Sequence, residues 1–182
     1  MRIALAGVCL LATIVGLSGG WALFVRLSGN LHEVEPRGLY RSAQLGPGEL
    51  KEAISRYGIR TVINLRGPNP QTDWYRNELA ITRQAHVVHI DIAMSASKEP
   101  DTATIDHLET SLRTAAKPIL VHCEAGADRS GLAAAIYELI VAQRSPAISA
   151  RQLSFYYGHF PWLWSRTGAM DRTFDRLVDV SD

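Results

Sequence analysis

Cysteine is almost missing from this 182-residue chain, which holds only Cys9 and Cys123. Two thiols make neither a disulfide framework nor a four-ligand zinc site, and no metal or cofactor is expected. An excess of charge of one sign is missing as well, with 19 Lys and Arg against 18 Asp and Glu. No acid precedes Glu33, so setting Arg2 and Arg26 aside leaves 17 basic against 18 acidic residues. A near-neutral domain lacks the electrostatic footprint of a nucleic-acid binder, and no nucleic-acid partner is expected. The chain has no internal repeat and no low-complexity tract. Its 47% hydrophobic and 20% charged residues are ordinary globular usage, which excludes collagen-like and wholly disordered readings.

What the amino terminus has is a long apolar run. Ile3 to Val25 are 23 consecutive residues without a charge, bracketed by Arg2 and Arg26. As a helix they would reach roughly 35 Å, enough to cross a hydrocarbon core of about 30 Å. A buried soluble helix would show a polar face, and this run has none. A cleaved signal peptide is the rival, since Gly16, Ser18 and Gly20 suit a signal peptidase, but its apolar region is normally shorter. The run resumes at Trp21-Ala-Leu-Phe-Val25, which favours a retained single-pass membrane anchor over residues 3–25. A short amino-terminal tail is easily kept inside, which places the folded domain outside the cytoplasm. The expected organisation is residues 1–26 as anchor or signal, 27–36 as linker and 37–182 as one folded domain.

Beyond the linker, strand-like and helix-like runs alternate. Leu39 to Gln44 reads as a strand, Glu49 to Tyr57 as a helix stopped by Gly58, and Ile59 to Leu65 as a buried β-branched strand. Trp74 to Gln84 reads as a helix, Val87 to Ile92 as a strand, and Thr102 to Ala115 as a helix with Ile105, Leu108 and Leu112 on one face. Pro118 to His122 has the character of a central parallel strand, and Gly131 to Gln143 that of a strongly apolar helix. Helical stretches follow from Ala147. This alternation predicts an α/β fold with a central, mostly parallel sheet flanked by helices.

One stretch carries chemistry: His122-Cys-Glu-Ala-Gly-Ala-Asp-Arg-Ser-Gly131. It joins the most strand-like segment to the most helix-like one. A small-residue loop there aims successive backbone N–H groups at one point beside a helix N-terminus, which makes an anion cradle. Cys123 at its start is favoured as a thiolate nucleophile. Arg129 closes the cradle with a planar fork that bonds two phosphate oxygens. The cradle residues are Glu124, Ala125, Gly126, Ala127, Asp128, Arg129 and Ser130, with the Ser130 hydroxyl available to the sulfur.

The run His122-Cys123, five residues, then Arg129-Ser130 resembles the signature of the protein tyrosine phosphatase superfamily, in its cysteine-dependent dual-specificity branch. Leu39-Tyr-Arg-Ser-Ala-Gln44, Ile59-Arg-Thr-Val-Ile-Asn-Leu-Arg66 and Lys98-Glu-Pro100 are similar to bacterial members and to the compact atypical phosphatases of plants and fungi. The resemblance covers roughly residues 37–145. It implies the fold of that family and a metal-free phosphatase with a thiophosphate intermediate on Cys123. Phosphorylated proteins or small phosphomonoesters are the implied substrates. Inositol or lipid phosphates, or phosphate binding without turnover, are the alternatives. The implied general acid is an aspartate on the loop before the helix preceding the signature strand. That loop is Met94 to Asp101, and its usual aspartate position holds Ala96 or Ser97. Asp101 is the first candidate, with a helix N-cap as its competing role. Glu99 and Asp91 follow. Arg41 and Arg66 are candidates for substrate binding, with surface ion pairs as the alternative. The aromatic cluster Phe155 to Tyr157, Phe160, Trp162 and Trp164 is expected to cover the sheet.

Overall fold

Five four-residue strands carry the architecture: β1 (His32–Glu35), β2 (Leu39–Ser42), β3 (Thr61–Asn64), β4 (Val88–Asp91) and β5 (Ile119–His122). The computed structural model describes residues 13, 16–21, 23–25, 27–161 and 165–181. The strands form one sheet in the order β1-β2-β5-β3-β4, with β1 and β2 antiparallel and the other pairs parallel. The predicted fold class, a mostly parallel α/β sheet, is what forms. Most of the anchor expected over residues 3–25 lies outside the described residues, as do Cys9, Trp162 and Trp164. Among the described residues, no helix is long and apolar enough to cross a membrane.

The stretch expected as a linker, 27–36, departs from that expectation. It contains β1, which pairs with β2 as the edge strand of the sheet. Its pattern of alternating charge, His32-Glu-Val-Glu35, hides an edge strand whose one buried apolar residue is Val34.

Side chains alternate across the central strand. Ile119 and Val121 pack on one face with the helices α3 (Thr102–Thr114), α4 (Asp128–Ile140) and α6 (Gly168–Ser181), through Leu108, Leu112, Leu132, Ile136, Met170 and Phe174. Leu120 packs on the other face with α1 (Pro47–Tyr57) and α2 (Asp73–Gln84), through Leu50, Ala53 and Ile81. Helix α1 ends at Gly58, as its sequence predicts, with a left-handed φ of 64°. The helix predicted over Gly131–Gln143 begins three residues earlier, inside the signature stretch, and ends at Ile140. Residues 130 to 138 of this helix are all buried, so it is the pillar of the larger core. The short helix α5 (Pro146–Ser149) and two 3₁₀ turns at Ala150–Gln152 and Phe155–Tyr157 complete the carboxyl-terminal part.

Parallel register aligns Ser42, His122 and Asn64 at one edge of the sheet, with Asp91 opposite Asn64. The carboxyl ends of parallel strands are where open α/β sheets place ligand sites, because loops and helix N-termini converge there. Cys123 is the next residue after β5.

Candidate active site

The loop from Cys123 to Ala127 must turn from the end of β5 into α4. Gly126 makes this possible with φ +70°, and a Cβ there would stand 2.5 Å from the backbone nitrogen of Ala43. Helix α4 opens on Ala127 without a side-chain cap, leaving its first-turn N–H groups for another acceptor.

The carbonyls of the loop reveal which way it faces. Glu124 O accepts from the backbone of Gln44 at 3.2 Å, and Ala125 O from Asn30 Nδ2 at 2.9 Å. Gly126 O and Ala127 O both accept from Arg41 Nη2, at 2.8 and 3.0 Å. Four successive carbonyls are therefore bonded from behind. A peptide plane that turns its C=O backward turns its N–H forward. An anion cradle requires this arrangement, with the loop N–H groups turned away from the core.

Arg41 is a sequence candidate for substrate binding or for a surface ion pair. It is instead behind the loop and 0% exposed. Besides the loop carbonyls it bonds Gln152 O and Oε1 at 2.7 and 2.8 Å and lies 4.0 Å from the Tyr157 ring centre. Burial lowers its pKa to about 10, while Tyr157, Cys123, Asp128 and Glu138 favour its charge. It stays a cation at neutral pH, beneath a loop that must hold an anion. The reason for the correction is register: Arg41 precedes Ser42 on a buried strand, so its side chain enters the protein.

Arg129 sits at the front. Its Nη1 donates to Met94 O at 3.2 Å and to Leu65 O at 3.4 Å, which ties α4 to the end of β3 and to the 94–101 loop. Its buried Nε has no hydrogen-bond partner among the described residues. Cys123 is buried at the start of the loop. The Ser130 hydroxyl, expected at the sulfur, donates to Ser42 O at 3.3 Å. Asp128 turns its carboxylate to His159 Nδ1 at 2.7 Å, and the other ring nitrogen of His159 meets Asp171 at 2.9 Å. Arg66 lies over Trp74, 3.9 Å from the ring centre, and donates to Gln44 Oε1 at 3.2 Å. Partial burial lowers its pKa, and Glu124 and Cys123 counter that shift, which sets Arg66 at the rim of the site.

His122 is buried beside the loop. Its Nε2 meets the Glu78 carboxylate at 3.1 Å. Glu78, 2% exposed, also accepts from His89 Nε2 at 2.8 Å and Gln44 Nε2 at 2.9 Å. Burial alone would raise its pKa, but these donors outweigh burial and hold it well below the usual carboxylate range.

The three carboxylates considered as the general acid are each otherwise engaged. Asp101 is exposed and caps α3, accepting from Thr104 N at 2.8 Å, and that bond holds its pKa below the usual range. Glu99 bonds Arg172 at 2.7 Å and Arg176 at 2.6 Å on α6, which lowers its pKa too. Asp91 accepts from Tyr75 at 2.5 Å and Asn64 at 2.7 Å.

Comparison with known proteins agrees with this geometry. The family model described as the Swiss Army Knife protein, DSP-PTPase phosphatase domain (PTP-SAK), matches residues 35–168. The chain belongs to the PTP-SAK family. No curated protein sequence matches it closely enough to serve as a relative. Among solved structures, P. aeruginosa TpbA in complex with pTyr is 23% identical with a TM-score of 0.63, covering 81% of this chain and 83% of that one. PTPMT1 in complex with PI(5)P is 15% identical with a TM-score of 0.62, covering 84% and 99%. The core catalytic domain of the PP-IP phosphatase SIW14 from S. cerevisiae is 19% identical with a TM-score of 0.58, covering 84% and 92%. At these identities the structural matches bear on the fold, and the PTP-SAK match on the phosphatase domain. Asn30, Glu78, Gln152 and His159 were missed by sequence reasoning. Asn30 and His159 reach the signature stretch directly, Glu78 through His122 and Gln152 through Arg41, each from a distant segment that no local pattern marks.

Proposed function

We propose that this chain is a cysteine-dependent phosphatase that hydrolyses phosphomonoesters, with phosphotyrosine-type or dual-specificity substrates. The observation that carries the reading is the backward bonding of the four carbonyls from 124 to 127, which directs the loop N–H groups at one anion in front of Cys123. In the first step the Cys123 sulfur attacks phosphorus in line, an S–P bond forms and the ester P–O bond breaks. Loop amides and Arg129 hold the equatorial oxygens as charge builds on them. In the second step water attacks phosphorus, the S–P bond breaks, and phosphate leaves. Asp101 is committed to the N-cap of α3, and the Thr104 bond that lowers its pKa disfavours the protonated form, so water supplies the leaving-oxygen proton in this reading.

The choice of substrate rests on the rim. The loop positions between Cys123 and Arg129 carry no lysine, and Glu124 places an acid there, while the Asp128 carboxylate is turned to His159. Polyanionic inositol or lipid phosphates suit such a rim less well than a phosphorylated protein or a small phosphomonoester. The apolar run of residues 3–25 supports a single-pass membrane tether, with the domain outside the cytoplasm and the last residues of the run, Trp21 and Val25, packed on that domain rather than in the bilayer.

The test is turnover by detergent-solubilised full-length protein without added metal, on an aryl phosphate and a phosphotyrosine peptide. Cys123→Ser should lose turnover and keep vanadate binding, while Arg129→Ala loses both. Near-normal turnover by Cys123→Ser overturns the mechanism, and vanadate binding without turnover by the unmodified chain identifies a phosphate-binding module instead.

A further inference from the structure

The end of the apolar run and the chain from it to β1 are built into the back of the catalytic loop. Trp21 Nε1 donates to Phe155 O at 3.2 Å, and its ring lies 6.1 Å from that of Tyr156. Val25 is buried, and a Cβ on Gly158 would meet its Cγ1 at 3.6 Å. Gly29 O accepts from Ala43 N at 2.8 Å. The chain then reaches Asn30, 1% exposed and held at φ +44°, a left-handed conformation that asparagine tolerates better than most residues.

Asn30 is bonded on every side. Its Nδ2 donates to Ala125 O and to Tyr157 O, both at 2.9 Å, and His32 Nε2 lies 3.0 Å from its Oδ1. Two carbonyl acceptors fix the amide nitrogen toward them, so the Asn30 oxygen accepts and His32 Nε2 carries the proton. The ring of His32 is packed edge-on against Tyr157, the residue on which Arg41 lies. Asn30 and Arg41 thus divide the loop carbonyls between them, Asn30 taking Ala125 and Arg41 taking Gly126 and Ala127.

The physical consequence concerns the loop rather than the fold alone. A loop that collects N–H groups on one side is favoured only if the buried carbonyls on the other side keep donors. Without its donor, Ala125 O would gain by rotating its peptide plane, and that rotation would carry the next N–H away from the anion. We propose that Asn30 is a positioning residue of the catalytic loop, and that the segment from Trp21 to Asn30 forms part of the active site's back wall and sets the loop's affinity for phosphate. This inference rests on the reading of the loop as an anion cradle. It gives residues expected to be anchor (Trp21) and linker (Asn30) a direct line to the loop: from Trp21 through the turn at 155–158 and Asn30 to Ala125.

The experiment replaces Asn30 in the full chain. Asn30→Asp keeps the size and the His32 partner but sets an acceptor against both carbonyls, and Asn30→Ala removes the donor without adding charge. Vanadate binding by calorimetry, the split between kcat and KM on an aryl phosphate, and thermal melting are read together. Vanadate affinity should fall about tenfold or more in both variants, at temperatures where each remains folded, because a buried acceptor has lost its donor. Trp21→Phe, which removes only the link to Phe155, should weaken vanadate binding about two- to threefold. A merely structural role would lower the melting temperature and leave the folded molecules' vanadate affinity unchanged. That result, in Asn30→Ala or in Trp21→Phe should the Asn30 variants not fold, overturns the proposal. Absence of vanadate binding by the unmodified chain would overturn the anion cradle itself, a result distinct from unchanged binding in the variants.

Discussion

Replacing His159 with glutamine should make the protein less stable in a way that depends on pH. The ring is 0% exposed, and both of its nitrogens face carboxylates, Asp128 at 2.7 Å and Asp171 at 2.9 Å. A neutral imidazole has one donor, so two carboxylate acceptors require the doubly protonated ring. Burial alone would lower the pKa, but the two carboxylates outweigh it and hold it raised. A proton bound more tightly in the folded state contributes stability that is fully present below the unfolded pKa of about 6.5 and is lost as pH rises through the raised folded value. Two charge-assisted bonds of about 1.5–3 kcal/mol each, discounted because the Asp171 side chain is 34% exposed, give about 2–4 kcal/mol. For a chain of this size that corresponds to roughly 5–15 °C in melting temperature. Melts of the unmodified protein and His159→Gln should therefore differ most at a pH below the unfolded value of about 6.5 and converge at an alkaline pH above the raised folded pKa. An equal gap at both values would refute the ion-pair reasoning. Asp128 belongs to the catalytic loop, so vanadate affinity should decline over the same alkaline range in the unmodified protein and not in the variant.

Other perturbations separate the front of the loop from its support. Arg41→Met removes the donor from Gly126 O and Ala127 O at about 1–3 kcal/mol each, so aryl phosphate turnover should fall by at least about 10²-fold while circular dichroism stays unchanged; turnover within a few-fold of normal would show the loop to be self-supporting. Glu78→Gln leaves three donors facing one amide and should cost about 3 kcal/mol in urea unfolding at neutral pH. Because the Glu78 pKa is lowered on folding, its contribution is present above the unfolded value and fades only as pH falls through the much lower folded one, so the deficit of the variant should shrink in strong acid. Asp101→Asn keeps a good N-cap and should alter turnover of a phosphotyrosine peptide and of an activated aryl phosphate equally; selective slowing of the peptide by about 10²–10³ would restore Asp101 as the acid.

The sequence made the elements legible where local chemistry decides them. The β-branched run ending at Leu65, the amphipathic helix ending at Gly58 and the signature stretch all appear within a few residues of their expected bounds. The start of α4 was placed three residues late because Asp128, Arg129 and Ser130 read as loop chemistry, yet their backbone is already helical. The edge strand β1 was hidden by its charges. Arg41 and Asn30 could not be assigned from spacing, since their partners lie 85 and 95 residues away in the chain. Local pattern identified the groups that meet a phosphate, and only tertiary geometry identified the groups that hold those in place.

That division has an energetic side. Arg41, Glu78 and His159 are charged groups in nearly water-free surroundings, and charges of this kind add little net stability, because the desolvation they suffer offsets the attraction they gain. Their partners explain why they are there all the same. Arg41 bonds two loop carbonyls, Glu78 bonds the histidine next to Cys123, and His159 bonds the aspartate next to Arg129. Each is one bond removed from a residue of the signature stretch, and none stands in front of it. An apolar side chain of similar volume would fill the same space at comparable stability but would supply no direction to a peptide plane or a ring. The charges behind the loop therefore act on the orientation of the donors in front of it, and substitutions there should weaken phosphate affinity as well as the fold.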